Sequence, residues 1–368
     1  MDQSNSICLK PNAESSSLEC VTLPMPLERW DAEFPADNEP ELRQAEFAQL
    51  NGHRAQWCTA VGAGLGLSTY LIRVCSANQT TGVLPLCHVS GPLFGSFLVS
   101  MPYINTGGVW ARDQESAKML VDSACKLADQ LDVKYLELRH EIPVEHERLS
   151  VERTDKVHMR MVLPDSAAAL LGSFKSKVRS QVKKSKQYSL TAEFGGSELL
   201  PDFYDVFSIN MRDLGTPVFS KKLFARILDS FEDEAEFCIV RHESKAVAAG
   251  LLVHAGGLTE VPSASCLRRF NRMNANMFMY WNMFERGIEQ GSRSFDFGRS
   301  SEGSGTYRFK SQFGSTPHPA TWQYYVRKGN PEEMRPGANG NQRLIRIWQK
   351  LPVWLTRLIG PSIVRGIP

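Results

Sequence analysis

The apolar positions of the chain change period several times, and each change marks an element. "STYLIRVC" (68–75) and "GVLPLCHV" (82–89) read as strands around the polar turn "SANQTT". "SFLVSMPY" follows, and within 111–132 the residues at 117, 120, 121, 124, 127, 128 and 131 are apolar, the spacing of one helix face. The strand "VKYLELRH" (133–140) leaves that helix directly. The same order recurs later. "AEFCIVRHE" (235–243) and "KAVAAGLLVHAG" (245–256) pair over the turn "ESK", and "LTEVPSASCL" comes next. "NRMNANMFMYWNMFERGIEQG" (271–291) reads as a helix stopped at a glycine, and "SRSFDFGR" (292–299) exits as a strand. "KYLELR" and "RSFDFGR" each set an acid between apolar residues with an arginine just after. Strand–turn–strand–strand–helix–strand, met twice, predicts two similar α/β domains.

Between the halves, residues 163–190 read as a helix capped near Asp165 or Ser166. This segment carries Lys175, Lys177, Arg179, Lys183, Lys184 and Lys186 with no acid from Ser166 to Gln187. A run of this kind is ordinarily a solvated face; its alternative use is to hold phosphate. Residues 203–231 read as two helices broken at "LGTP", where Gly215 and Pro217 interrupt the pattern. The tail 341–368 mixes Arg343, Arg346, Lys350, Arg357 and Arg365 with Trp348, Trp354 and many Leu and Ile, again without an acid. It fits a basic interfacial segment divided by Pro352, and equally a helix docked on its own domain with the cations in solvent.

Composition narrows the function classes. The 368 residues suffice for two cores, with ordinary apolar (42%) and charged (22%) content, and a net charge of +2 points to no partner. The eight cysteines, at 8, 20, 58, 75, 87, 125, 238 and 266, form no CxxC pair, which argues against zinc-ribbon and dithiol chemistry. They read as small buried hydrophobes in a reducing cytoplasm. The first residues lack a signal-peptide pattern and read as a disordered tail over 1–21. No apolar run reaches the ~18 residues of a membrane span. There is no GxSxG, HExxH or GxxxxGK[ST], and the histidines are scattered, so no metal set, hydrolase triad or nucleotide loop is expected.

What remains is "FDFGRSSEGSGTYRFKSQFG" (295–314). Gly298, Gly303 and Gly305 would let backbone N–H groups approach an anion closely. "RSSEGSG" is similar to the Arg/Gln-x-x-Gly-x-Gly/Ala pyrophosphate loop of acetyl-CoA-dependent N-acyltransferases, but one residue longer, and it is expected to precede a strand rather than a helix. Read as a strand, "YRFK" sends Tyr307 and Phe309 to one face and Arg308 and Lys310 to the other. By residue pattern alone Lys310 is a surface lysine on an edge strand, or an oxyanion donor for acyl transfer.

The stretch resembles the closing motif of the FemAB family: an acidic strand end, a glycine turn, then Tyr-x-Phe-Lys and an aromatic–Gly pair. "KSKVRSQVKKSK" resembles that family's Lys-x-Arg segment, and "SINMRDLGTPVFS" its substrate-domain helix and turn. "GVLPLCHVSGPLFGSFLVSMPYINTGGV" and "WQKLPVWLTRLIGP" are similar to the branch associated with exosortase/PEP-CTERM exopolysaccharide loci. The resemblance implies an α/β (α+β) fold of two tandem acyl-CoA N-acyltransferase-like (GNAT-like) domains, each a mixed, mostly antiparallel sheet flanked by helices. On that basis the first domain spans 22–164, completed by 316–335, the second spans 165–315, and 336–368 is the basic tail. The family's members carry an aminoacyl group from aminoacyl-tRNA to an amine of a peptidoglycan precursor. Its motif lysine falls on Lys310 with Phe309 beside it, and a phosphate-binding arginine falls on Arg212. Asp296 and Glu302 are the nearby carboxylates for proton handling. Arg299, Tyr307, Tyr103, Asn105, Lys175 and Arg179 are the further substrate-contact candidates. No cofactor is expected to stay bound; the co-substrate is acyl-CoA or aminoacyl-tRNA. The expected setting is a cytoplasmic transferase, peripheral on the inner membrane if 341–368 binds lipid, acting on an envelope or polysaccharide precursor, with tRNA as a further partner. The rival readings are a CoA-dependent N-acyltransferase acting on an amino sugar of exopolysaccharide and a non-catalytic, membrane-associated scaffold.

Overall fold

A computed structural model of the chain describes residues 7–9, 18–24, 51–76, 79–92, 94–329 and 342–368. Of the expected tail and completing segments, residues 1–6, 10–17 and 330–341 lie outside the described residues. In chain order the first elements are β1 (Ile7–Leu9), β2 (Leu18–Pro24), α1 (Ala55–Leu65), β3 (Ser68–Ser76), β4 (Gln79–Gly91), β5 (Gly95–Val99), β6 (Trp110–Ala111), α2 (Gln114–Gln130) and β7 (Tyr135–His140). Then come β8 (Val151–Val162), α3 (Ala167–Ser173), α4 (Ser176–Ser185), β9 (Leu190–Gly195), α5 (Leu200–Leu214), α6 (Lys221–Phe231), β10 (Ala235–His242), β11 (Lys245–Ala255), β12 (Leu258–Cys266), α7 (Ala275–Glu289) and β13 (Ser294–Ser301). α8 (Gly305–Ser311), β14 (Thr316–Val326), α9 (Gln342–Lys350) and α10 (Val353–Val364) complete the chain.

Two compact units emerge: Met1–Thr154 with Pro319–Asn339 and Arg365–Pro368, and Asp155–His318 with Gly340–Val364. In the first, strands run in the order β2-β3-β4-β5-β7-β14, antiparallel throughout except for the parallel pair β5·β7. Asp113 caps α2, its carboxylate accepting from the Ser116 N–H at 2.7 Å. The apolar face of α2 (Leu120, Val121, Ala124, Cys125) packs on Ile72, Leu84, Leu98 and Leu136. The second unit orders its strands β8-β13-β12-β11-β10-β9, with β12·β13 the one parallel pair. There α7 buries Phe278, Met283 and Phe284 against Val240, Leu252, Phe295 and Phe297. Each such buried side chain contributes about 1.5–3 kcal/mol. The repeated strand–strand–strand–helix–strand order is thus present in both units, closing each time on a parallel pair.

Several expectations need correction. Leu18–Pro24, which the tail reading overlaps, is a strand paired with β3, with Leu18 and Cys20 buried. The basic segment is two helices, α3 and α4. They break where Phe174 turns extended to bury its ring 5.6 Å from Phe313 and 6.2 Å from Trp281. β8, with its half-exposed, charge-rich alternation "VERTDKVHMRMV", carries too weak an apolar signal to read as a strand. Most consequential, "YRFK" belongs to a helix, α8, and not to a strand. Ser304 is its N-cap, accepting from the Tyr307 N–H at 3.1 Å, so the glycine-rich turn is a helix entry rather than a hairpin. Cys20, Cys58, Cys75, Cys87, Cys125, Cys238 and Cys266 are free thiols, and five of them are buried.

Candidate active site

The parallel strands β12 and β13 pair over three residues only, ending at Glu260 opposite Asp296. Both strands continue, β12 to Cys266 and β13 to Ser301, so their edges part beyond that point. On the other side of β13 the register against β8 breaks over the same stretch, between Asp296 and Arg299. Gly298 sits in this bulge at φ +74°, a left-handed conformation that glycine adopts without steric cost. Asp296 fixes the turn. Its Oδ1 accepts from the Gly298 N–H at 2.6 Å, and its Oδ2 from Arg160 Nε at 2.8 Å.

Lys310 closes the arrangement from α8. Its ammonium donates to the carbonyls of Gly298 (3.0 Å), within the bulge, and Arg299 (3.1 Å), where the ladder with β8 resumes. Phe309, the neighbouring residue, lies in the aromatic core instead, its ring 5.2 Å from Tyr280 and 5.3 Å from Phe313. This packing anchors α8 and explains how a lysine comes to be only 8% exposed. Burial pushes the Lys310 pKa down to about 8; Asp296 pulls it up and Arg299 pushes it further down. An ammonium has three donors, and two are spent on carbonyls. The third is a positive hydrogen-bond donor, without a partner among the described residues, held beside the β13 bulge.

The structure gathers some of the candidate residues and separates others. Lys310, Phe309, Tyr307, Asp296 and Arg299 converge on β13 and α8. Tyr307 packs partly on the core, and Glu302 is exposed in the turn. Asp296 has both oxygens occupied, which makes it the anchor of the bulge rather than a proton acceptor. Arg212, at the end of α5, is bound through Nε (2.8 Å) and Nη2 (2.7 Å) to its neighbour Asp213. Lys175 is the exposed residue before α4, while Arg179 donates to the Phe174 carbonyl and so caps α3. The cations of α4 face solvent, with Val178, Val182 and Ser185 turned inward. Tyr103 and Asn105 belong to the first unit. They lie in the loop after β5, where Tyr103 holds φ +79° and Arg139 pins the backbone by donating to the Ile104 carbonyl at 2.7 Å. Arg139 is itself buried, paired with Glu137 at 2.7 Å and stacked 4.2 Å over Trp322.

Three features escaped sequence reading. Arg160 partners Asp296 from the unrecognised strand β8. Glu260, buried directly across from Asp296, is a single acid in "LTEVPSASCL" that only register could single out. Third, the expected helix over 271–291 begins later, and a 3-10 turn (Arg268–Met273) bearing Arg268, Arg269 and Arg272 leads into the 15-residue α7. Arg268 donates to the Asp213 carbonyl at 3.0 Å. Cationic side chains at the start of a long helix are the features an anionic donor group would use; the turn before α8 leads into only a seven-residue helix, and Arg308 there donates to the Gly303 carbonyl at 2.8 Å.

Comparison places this site in a class. Residues 172–311, within the second unit, match the family model described as "Acetyltransferase (GNAT) domain", and that match supports acyltransferase chemistry in general terms. The fold is shared with the crystal structure of FemX, at TM-score 0.60 and 14% identity over 89% of this chain and 100% of that one. It is shared too with a tandem GNAT protein from the clavulanic acid biosynthesis pathway, at TM-score 0.51 and 11% identity over 86% and 99% of the two chains. The C-terminal domain of a protein designated a lysylphosphatidylglycerol synthetase from Agrobacterium fabrum superimposes at TM-score 0.51 and 12% identity, covering 84% of this chain and 94% of that one. No curated protein matches the chain by sequence. The architecture is therefore the tandem GNAT-like one that the FemAB resemblance implied.

Proposed function

We propose that the protein is an N-acyltransferase of the FemAB kind, moving an acyl or aminoacyl group from an activated donor to an amine of a cell-envelope or polysaccharide precursor. The observation that carries this reading is the Lys310 ammonium, buried at the β13 bulge with two donors on carbonyls and no third partner among the described residues. The acceptor amine attacks the donor's carbonyl carbon, and the carbonyl electrons move onto oxygen. Lys310 donates to that oxyanion. The C–S bond of a CoA thioester, or the C–O bond of an aminoacyl-tRNA ester, then breaks. The leaving thiolate or alkoxide takes up a proton while the new amide nitrogen gives one up. A preformed donor of this kind accelerates such a step by about 100- to 1000-fold. Of the two donors, a CoA thioester would set its phosphates against the arginines of the Arg268–Met273 turn. An aminoacyl-tRNA would engage the α4 cations and lose affinity steeply with salt. The exopolysaccharide setting of the exosortase/PEP-CTERM type belongs to the same proposal and rests on the sequence resemblance alone.

The test is mass spectrometry of envelope and polysaccharide precursors from cells with the wild-type protein, without it, and with Lys310→Met. An acyl or aminoacyl mass present with wild type and missing in the other two supports transfer and names the donated group. A Lys310→Met strain with unaltered precursors overturns the oxyanion role, and precursors unchanged even without the protein favour the scaffold reading.

A further inference from the structure

The proposed acyl transfer makes no use of the two C-terminal helices. α10 is seated on the second unit, whereas α9 touches it along one edge and buries none of its residues. Gln349 of α9 donates to the Asp213 carbonyl at 3.1 Å, and Ile345 lies so close to Gly215 that a Cβ there would come within 2.5 Å of it. In α10, Thr356, Gly360 and Val364 form a buried stripe spaced four residues apart, and Gly360 rests against the backbone of Val218. Arg357 pairs with Asp205 at 2.7 Å.

The outward faces have a different composition. Leu344 and Ile347 of α9 are 64% and 58% exposed, and Trp354 and Leu358 of α10 are 66% and 69% exposed. Leu214, the last residue of α5, is 54% exposed as well. These residues lie on the sides turned away from the docking contacts, so packing onto the unit does not account for them. Arg343, Arg346 and Lys350 recur at i, i+3 and i+7 on α9, which lines them up beside the Leu344–Ile347 edge. Residues 342–368 contain no Asp or Glu. Of the carboxylates that share a cavity with α10, Asp205 pairs with Arg357 and Asp202 with Arg241, both at 2.7 Å, while Glu243 is exposed beside them and is the acid this face sets against anionic lipid.

We propose that α9 and α10 form a peripheral docking face for an anionic lipid surface. Leucine, isoleucine and tryptophan side chains beside a row of cations match the two chemistries of that interface: an apolar acyl boundary and negative headgroups. A nucleic acid would engage the cations and leave Leu344, Ile347 and Leu358 in water. The helices lie on the surface and do not cross it, because no helix among the described residues is long and apolar enough to span a membrane. The contact is independent of the acyl-transfer reading, since none of its residues touches Lys310 or the β13 bulge.

The experiment is flotation of the full chain with vesicles of phosphatidylcholine alone or mixed equally with phosphatidylglycerol, at moderate salt. Wild type floats with the mixed vesicles and not with phosphatidylcholine. Arg343→Glu with Arg346→Glu lowers partitioning at least tenfold, since each surface cation near anionic lipid contributes about fivefold. Leu344→Asp with Leu358→Asp lowers it comparably, and retained circular dichroism and melting temperature show that these exposed changes leave the fold intact. Three results overturn the proposal: flotation unaffected by the leucine pair, no flotation alongside tRNA binding abolished by the arginine pair, or no flotation alongside a dimer that the leucine pair dissociates.

Discussion

Lys310→Met probes the site without needing the substrate. In the folded protein the ammonium is held out of water, and its pKa falls from 10.5 to about 8. For a base whose folded pKa is depressed, the unfolded chain binds the proton more readily between those two values. Stability therefore rises with pH over that window, whereas below about 8 both states are protonated and the penalty is constant. A tenfold loss of proton affinity corresponds to about 1.36 kcal/mol. The penalty at neutral pH is thus about 3 kcal/mol, of which about 2.5 kcal/mol is relieved between pH 7 and pH 10. Methionine has similar length and no charge, so Lys310→Met carries no such penalty. It leaves the Gly298 and Arg299 carbonyls unpaired, at about 1–3 kcal/mol each, so its stability at pH 7 stays near that of wild type. Urea unfolding of both proteins at pH 7, 8, 9 and 10 measures the difference, and subtraction cancels the other titrating groups the two share. The wild-type minus variant stability should climb by about 2.5 kcal/mol across the series. A flat difference refutes the view that the fold holds a desolvated ammonium here. In wild type, kcat/KM for the proposed acyl transfer should fall through the same pH range as stability rises, because on that proposal the ammonium that serves as oxyanion donor is being deprotonated.

Other perturbations test the supporting structure. Gly298→Ala forces a side chain into φ +74°, and should cost about 1–2 kcal/mol in urea unfolding while lowering kcat more than KM. Arg160→Ala strips the partner from buried Asp296 and should cost about 3 kcal/mol, whereas removing both charges together should cost less than the sum of the two single changes. In the first unit, burial pushes the His140 pKa down to about 3, so the unfolded chain takes up its proton first. Stability should decline as pH drops from 6.5 toward 3, and His140→Gln should flatten that decline. Burial pushes the Cys125 thiol up to about 12, and iodoacetamide should label it in denaturant but not in the native protein.

The repeated architecture was legible because it rests on helix periodicity. The apolar positions of α2 and α7 are the very residues that fill the two cores. The site was only half legible. "YRFK" looked like a strand because two aromatic residues alternate with two cations. Ser304 as N-cap and the packing of Phe309 and Phe313 on Tyr280 override that local pattern. The partnership of Asp296 with Arg160 depends on strand register across more than a hundred residues, and no short motif encodes it. Arg212, where the family's phosphate-binding arginine falls, and Arg179, in the basic segment, turn their guanidinium groups to Asp213 and to the end of α3, contacts that motif and charge pattern do not encode.

The two copies of the repeat differ at one position in a way that separates their roles. In "YLELR" the acid and the arginine sit two residues apart, and Glu137 turns to its own Arg139 at 2.7 Å. In "FDFGR" an inserted glycine lengthens that interval to three, sending Arg299 elsewhere and leaving Asp296 to a partner on another strand. The first copy is thereby internally neutralised and needs nothing from outside. The second has carbonyls to spare, and Lys310, further along the chain, answers them from a helix. The two strand ends are alike in pattern, and the extra glycine separates them: one keeps its acid and arginine paired, and the other turns its bulge carbonyls to Lys310.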